Sequence, residues 1–371
     1  MDQLVTRIHK GIYPPNSFIP SQRQLADELR VNRGYIRQAV EELTARGLVR
    51  TQQGRGTQVL SVDQRKRACR VAVIHTPISG WLTQEGMYVV TGMIDRLMTS
   101  GHPYTRVTCG APADSLQGSP HGCMSIESSA LASLTDKYDG FVFLETADPA
   151  MTAFIASLEE RHVPVVVANM EVEMPVSGVQ VGHADAARRA VEILAGYGHT
   201  RIAFVGRDPG AYFYGRSLAG YRQAMASAGL AVDESLIAFA SQTSELHAYV
   251  ASRGFFTRDA VPTAVVAARD MLAQGVCHAV EEAGLRVGYD VSVIGFDNVS
   301  WPDGQKFLTT FNEPCYEMGT AAVDMLLDRL YNGWRPPERR VLEAPLVLRR
   351  SVGPVPLETL RPRVAVTARK T

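Results

Sequence analysis

The side chains whose type and spacing could do chemistry stand first near the amino terminus, where Asn32, Arg33, Tyr35 and Arg37 fall within one short run. None of them is a nucleophile beside a base. Arginines four apart share a face of a helix, and each guanidinium can donate paired hydrogen bonds to a guanine edge or to a phosphate. Asn32 and Tyr35 can reach the same kinds of acceptor. Arg55, set between Gly54 and Gly56, would project from the tip of a tight turn. The chemistry is recognition of an anionic surface rich in acceptors.

The elements that must position these groups are legible. Ser21 with Gln24 three residues on has the capping-box spacing that starts a helix with Leu25, Ala26 and Leu29 on its apolar face. Arg30 and Val31 make a turn, and Asn32 can cap a second helix whose apolar positions are Ile36, Ala39, Val40 and Leu43. A helix after a tight turn, with basic and amide groups at its start, is the part that enters a major groove in helix-turn-helix proteins. Extended runs at 48–52 and 57–60, joined through two glycines, predict a hairpin wing suited to a phosphate or a narrow minor groove. Residues 4–60 resemble the winged helix-turn-helix of the gluconate-repressor (GntR) family: Ile8 to Gly11, then PSQRQLADELRVNRGYIRQAVEELTARGLV, then GRGT. The resemblance implies DNA contacts at Arg23, Asn32, Arg33, Tyr35, Arg37, Arg55 and Gly56. Asn32 stands where the family has Ser or Thr, and Gly34 replaces a residue whose side chain usually reaches DNA, so base preference does not carry over.

The chain has 371 residues and no net charge, enough for two or three domains. Its charge is unevenly spread: residues 1–70 hold 13 Lys/Arg against 6 Asp/Glu, a net of +7, and the remainder carries −7. The positive end coincides with the expected DNA reader. Cys69, Cys109, Cys123, Cys277 and Cys315 are scattered without a C-x-x-C pair, which suits reduced thiols and argues against a zinc site or a disulfide framework. No apolar run reaches membrane length, so a cytoplasmic protein without cofactor or metal is expected.

Residues 61–70 form a polar linker in which Arg65, Lys66 and Arg67 are either simply solvated or a second phosphate contact. Beyond it, apolar runs of strand length begin at 71, 141, 163, 201, 263 and 291 and alternate with helical stretches. That pattern predicts an α/β domain of two lobes with parallel sheets, whose ligands bind at the carboxyl ends of strands. Residues 111–125 are expected to be a mobile loop and 356–371 a loose basic tail.

Residues 71–353 resemble the effector domain of the lactose and galactose repressor (LacI/GalR) family, which shares its fold with periplasmic sugar-binding proteins. The carrying motifs are DGFVFLE at 139, the run ending at Asn169, GHADAARRAVEILAGYGHTRIAFVG at 182, GRSLAGYRQAM at 215, and VSVIGFDNVSWPDGQKFLTTFNEPCYEMGTAAVDMLLDRL at 291. A GntR-type reader fused to such a sensor is similar to arabinose-repressor-type regulators. The resemblance implies a DNA-binding domain at 1–60 and an effector and dimerisation domain at 71–355. Lobe 1 would take about 71–182 and 310–338, and lobe 2 about 183–308 and 342–355. It further implies a homodimer on double-stranded operator DNA, no catalysis, and a small sugar-like effector held by Trp81, Asn169, Arg216, Gln242, Arg269 and Asp297.

Several of these residues admit plainer roles: Trp81 and Trp301 as core or interface aromatics, Asn169 as a turn residue, Asp297 as a loop acid. Arg269 stands where the family has Asn, and Arg216 lies four residues before Gly220 where the family's arginine lies three before, a slot held here by Ser217. Two arginines facing one cleft would be uncompensated unless something anionic binds, so an acidic or phosphorylated sugar is the expected effector. The segment from Gly210 to Ser217 mimics a P-loop, but Arg216 replaces the Lys that the phosphates require, and Tyr212, Phe213 and Tyr214 crowd the loop. GRSLAG is one residue too long for a nucleophile elbow. His183 and His199 read as cap or turn residues. The helix expected at 314–330, with Met318, Ala322, Met325 and Leu326 on one face, would serve a dimer interface or pack on a sheet.

Overall fold

The computed structural model describes residues 2–45, 47–52, 55–61, 68–75, 84–109, 123–144, 149–169, 174–207, 212–257, 260–299 and 307–356. The amino-terminal segment contains α1 (Asp2–His9), β1 (Phe18–Ile19), α2 (Gln22–Leu29), α3 (Arg33–Ala45), β2 (Val49–Gln52) and β3 (Gly56–Val59). The capping box forms as its spacing predicts: Ser21 Oγ accepts the Gln24 N–H at 3.3 Å, and Gln24 Oε1 accepts the Ser21 N–H at 2.9 Å. Arg30 ends α2 in the left-handed conformation, φ 53°. Two elements go beyond the expected pair of helices and hairpin. Leu4 and Ile8, one turn apart, bury the apolar face of α1, and β1 pairs with β3 to make a three-stranded antiparallel sheet of order β1-β3-β2. Leu25, Ile36, Leu43, Leu48 and Val59 are buried with them.

The rest of the chain runs β4 (Val71–His75), α4 (Gln84–Thr99), β5 (Tyr104–Cys109), β6 (Cys123–Ile126), β7 (Gly140–Leu144), α5 (Pro149–Glu160), β8 (Val165–Ala168) and β9 (Gly178–Val181). It continues through α6 (His183–Gly196), β10 (Ile202–Arg207), α7 (Tyr212–Ser227), β11 (Ile237–Ala240), α8 (Glu245–Ser252), β12 (Ala264–Ala267), α9 (Asp270–Glu282), β13 (Ser292–Asp297) and β14 (Thr309–Asn312). It closes with α10 (Cys315–Asn332), β15 (Arg339–Leu342) and β16 (Leu346–Val347). Contacts divide the chain into two compact units, Met1–Gln180 with Cys315–Val341, and Val181–Pro314 with Leu342–Thr371.

The first unit holds a seven-stranded sheet of order β15-β9-β8-β7-β4-β5-β6, with β4 to β9 paired in parallel. Alternate residues on one face, Ala72, Ile74, Phe141, Phe143, Val165 and Val167, pack against Met151, Phe154, Ile155 and Leu158 of α5. α10 packs on β7, β8 and α4. The approach to α4 is close enough to demand glycine: a Cβ at Gly92 would stand 2.2 Å from the Tyr316 carbonyl oxygen, and one at Gly319 2.0 Å from that of Val89. Met318, Ala322 and Leu326 are therefore buried inside the chain, in the packing role, and Met325 is half-buried.

The second unit holds a six-stranded sheet of order β11-β10-β12-β13-β14-β16, parallel except for β16 against β14. β14 pairs in register with β13, Ile294 with Thr309 through Asp297 with Asn312. Residues 310–312 thus belong to this sheet and not to lobe 1, and the return to the first unit comes at Cys315. Among the described residues no helix is long and apolar enough to cross a membrane, and no group of three or more His, Cys, Asp or Glu could hold a metal. Cys69, Cys109, Cys277 and Cys315 are buried thiols outside any disulfide.

Candidate functional site

On the winged segment the apolar stripe of α3 turns inward and leaves the opposite face to solvent. Arg23, Asn32, Arg33, Tyr35, Arg37, Arg55 and Gly56 are all exposed, Tyr35 at 69 %. Asn32 does cap α3, its Oδ1 accepting the Gly34 N–H at 2.8 Å. Arg37 faces Glu41 one turn on, at 3.6 Å. Arg23, Arg33 and Arg55 have no carboxylate within salt-bridge distance among the described residues. That is the condition a phosphate or base contact needs, because an arginine without an internal acid keeps its donors for the partner. Gly56 sits at φ 109°, a conformation glycine alone adopts without strain, and starts β3 directly after Arg55.

In the second unit, the expected ligand residues fall at the carboxyl ends of parallel strands. Arg216 lies in the first turns of α7 after β10, Gln242 is exposed after β11, Arg269 follows β12, and Asp297 ends β13. The structure brings Arg269 and Asp297 into direct contact, Nη1 to Oδ1, and adds Glu313 after β14, whose Oε2 is 3.0 Å from the same Nη1. The side chains of the trio are 12 %, 4 % and 2 % exposed, so its charge is largely withdrawn from water. Burial works against the guanidinium's charge, but the two carboxylates outweigh it and hold the Arg269 pKa well above its usual value. Arg269 is therefore not uncompensated. The premise for an acidic effector fails at this residue, and the trio itself carries −1.

The trio lies over an aromatic floor. Arg269 Cζ is 5.8 Å from the Phe296 ring centre, and the His183 ring packs on Phe296 with centroids 4.8 Å apart. His183 opens α6, with Nδ1 3.1 Å from the Val181 carbonyl. Burial first, then the charge of Arg269, lowers its pKa to about 3, so it is a neutral packing group there. Beneath it His183, Ala187, Phe296 and Phe311 line a space of about 10 Å³, no more than one water occupies. His199, the other punctuating histidine, ties Thr263, Ser292 and Gly353 together and is structural.

Asp297 and Asn298 have φ of 125° and 65°, conformations that cost about 1–3 kcal/mol for each L-residue and that concentrate at functional sites. Asn169, in the first unit, is also left-handed at φ 52°, its N–H donating to the Val179 carbonyl at 2.9 Å, so it turns the chain after β8. Arg216 is half-buried and its charge acts on His183. Ser217, in the slot the family gives to arginine, is buried. Trp81, Trp301, the basic run 65–67, the 111–122 part of the expected loop, residues 210–211 of the P-loop-like segment and residues 357–371 lie outside the described residues. Glu313 was not foreseen, nor was Tyr214, which is buried and shares a 2.7 Å hydrogen bond with the Thr243 hydroxyl. A signal for Glu313 existed: an arginine in place of Asn at a buried strand end requires acids on the neighbouring strand ends.

Residues 1–59 match the family model of bacterial regulatory proteins, gntR family, and residues 191–352 match that of the periplasmic binding protein-like domain. The chain is 31% identical over 208 residues to the HTH-type transcriptional regulator AglR of Rhizobium meliloti (strain 1021), covering 54% of this chain and 58% of that protein. It is 32% identical over 232 residues to the HTH-type transcriptional repressor CytR of Escherichia coli (strain K12), covering 60% and 65%. To the repressor PurR of Escherichia coli O1:K1 / APEC it is 35% identical over 217 residues, covering 56% and 62%. The chain thus spans about three fifths of the length of these curated relatives. Among solved structures, the lac repressor dimer bound to operator and the anti-inducer ONPF superimposes with a TM-score of 0.62 at 21% identity, over 78% of this chain and 95% of that one. A transcriptional regulator CelR–cellobiose complex does so with a TM-score of 0.61 at 23% identity, over 90% and 100%; both likenesses concern the fold. The chain joins a helix-turn-helix domain of the gntR family of bacterial regulatory proteins to a periplasmic-binding-protein-like domain, and its relatives are LacI-like transcriptional regulators.

Proposed function

We propose that the chain is a ligand-responsive transcriptional regulator, a repressor that binds a palindromic operator as a homodimer and is switched by a small hydroxyl-bearing effector. The observation that carries the reading is the solvated arginine face of α3 and the wing, where Arg23, Arg33 and Arg55 meet no acid among the described residues, on a chain whose second unit gathers Arg269, Asp297 and Glu313 at strand ends. Arg33 and Arg37, with Asn32 and Tyr35, would address the major groove, and Arg23 with the Arg55–Gly56 tip the backbone or minor groove. Asp297 and Glu313 would accept hydrogen bonds from effector hydroxyls while Arg269 donates, with Arg216 and Gln242 of the same unit as further contacts. With Arg216 the charged side chains of this site sum to zero, a balance that suits a neutral polyol. The relatives are described as transcriptional regulators or repressors, which supports a role without catalysis.

Selection from random DNA duplexes by the full-length chain tests the reading, followed by gel shifts with neutral sugars, uronates and sugar phosphates. The expected outcome is an enriched inverted repeat released by a neutral sugar. No enriched sequence would sink the DNA-reading role, and a single unrepeated site would sink the dimer. Release by uronates or sugar phosphates alone would restore the acidic effector. One observation favours a second reading, control through a protein partner: Arg269 is satisfied within the chain, so its charge demands no ligand. Failure of the whole panel to shift the melting temperature would decide for that reading.

A further inference from the structure

Asp270, the first residue of α9, is 1 % exposed, and its carboxylate is directed into the turn that follows Asp297. Oδ1 accepts the Thr310 hydroxyl at 2.6 Å and Oδ2 accepts the Val299 N–H at 3.0 Å. The Asn298 N–H donates to it as well, and the N–H of Asp270 itself points at Asp297 Oδ2, at 3.4 Å. Gly295 supplies the room, since a Cβ there would stand 2.2 Å from Asp270 Oδ1. One buried carboxylate therefore grips Asn298 and Val299, the two residues after Asp297, in a turn where Asp297 is at φ 125° and Asn298 at 65°. Such conformations persist only where the surroundings over-determine them.

We propose that Asp270 is a positioning residue: ionised, it holds the Asp297–Asn298–Val299 turn in the form that presents the Asp297 carboxylate to Arg269 and to a ligand. The proposal rests on the effector reading only for its last word. Protonation replaces charge-assisted hydrogen bonds from two backbone N–H groups with neutral ones about half as strong, so the turn loosens as Asp270 takes up a proton. Burial pushes Asp270 from 3.8 up to about 6, with the Thr310, Val299 and Asn298 hydrogen bonds and the charge of Arg349 pulling it back. Among the described residues, the other titratable or charged groups around it are Cys277 on α9, Asp297 on β13, and, through Asp297, Arg269 and Glu313.

The sign separates positioning from bulk stability. Because the folded pKa lies above the unfolded one, the folded state binds this proton more tightly. The contribution of Asp270 to stability is then full below 3.8 and is lost as pH rises to about 6. Order in the turn runs the other way, rising with pH across the same window.

Hydrogen exchange of the full chain, read by mass spectrometry on the peptide carrying the Asn298 and Val299 amides and corrected for intrinsic exchange, needs no ligand. Protection is expected to rise severalfold between about pH 5 and 7. In Asp270→Asn, which accepts one N–H but cannot titrate, the profile should be flat. In Asp270→Ala protection should be low throughout, with α6 peptides unchanged. A native profile without a rise, a rise that survives in Asp270→Asn, or full protection in Asp270→Ala overturns the proposal. If Asp270→Ala unfolds the second unit, the Asp270→Asn profile decides alone. Failure of every effector candidate leaves this result standing, so the two readings fail separately.

Discussion

Arg33 and Arg269 carry the same guanidinium into opposite surroundings. Arg33 stands exposed on the first turn of α3 with no acid within salt-bridge distance among the described residues, whereas Arg269 is 12 % exposed and lies between Asp297 and Glu313. The first keeps all its donors for something outside the chain. The second has its charge met twice over from within, and what it offers a ligand is a fixed pattern of donors and acceptors with an excess of negative charge. Residue type alone therefore says little about what an arginine binds; the count of acids within reach decides whether it attracts an anion or organises a neutral ligand.

The strongest way to break this contrast is to remove Arg269. In Arg269→Ala two carboxylates remain buried without their cation, and urea denaturation of the full chain should show the second unit destabilised by about 3–5 kcal/mol. Adding Asp297→Asn and Glu313→Gln should recover most of the loss, because the penalty comes from the stranded charges. A loss within 1 kcal/mol would mean that the trio is not formed. Arg33→Ala is the counterpart at the other end. It should leave the melting temperature unchanged and weaken operator binding by about 1–3 kcal/mol, with specificity relaxed at one base position. A stability loss without an affinity loss would show that Arg33 has an internal partner after all.

How much of this was legible depended on whether a residue's role is local. The runs that became β4, β7, β8, β10, β12 and β13 announce themselves because parallel strands covered on both faces are apolar throughout. β5 hides because Arg106 and Thr108 alternate with Val107 and Cys109; both polar groups approach His75 Nε2 on β4, at 2.8 and 3.2 Å, a cross-strand arrangement that no periodicity displays. The Ser21 capping box is written in four consecutive residues and formed as written. The ligand site was legible as positions but not as contacts. Arg269 and Asp297 each fall after a recognisable strand, yet their meeting with Glu313 depends on the sheet order β12-β13-β14, which the spacing along the chain does not encode. The acidic effector follows in sequence from two arginines, Arg216 and Arg269, without visible acids, and the acids that meet Arg269 stand 28 and 44 residues away.

Smaller effects sharpen the comparison on the DNA side, where arginines differ in how free they are. Arg23→Ala and Arg55→Ala, each removing a cation that meets no acid among the described residues, should lower the slope of log affinity against log salt by about 1 apiece while weakening all sequences alike. A change confined to one sequence would move that residue from the backbone to a base edge. Arg37 is the intermediate case, exposed but 3.6 Å from Glu41, with both side chains about 70 % exposed. An exposed pair of this kind holds an arginine only weakly. Glu41→Ala should then release Arg37, subtract a negative charge from the face, and tighten DNA binding less than about twofold, the smallest effect here and one of opposite sign to the others. A weakening instead would mean that Glu41 aims Arg37 at its target, and that on this face an internal acid can serve recognition as well as compete with it.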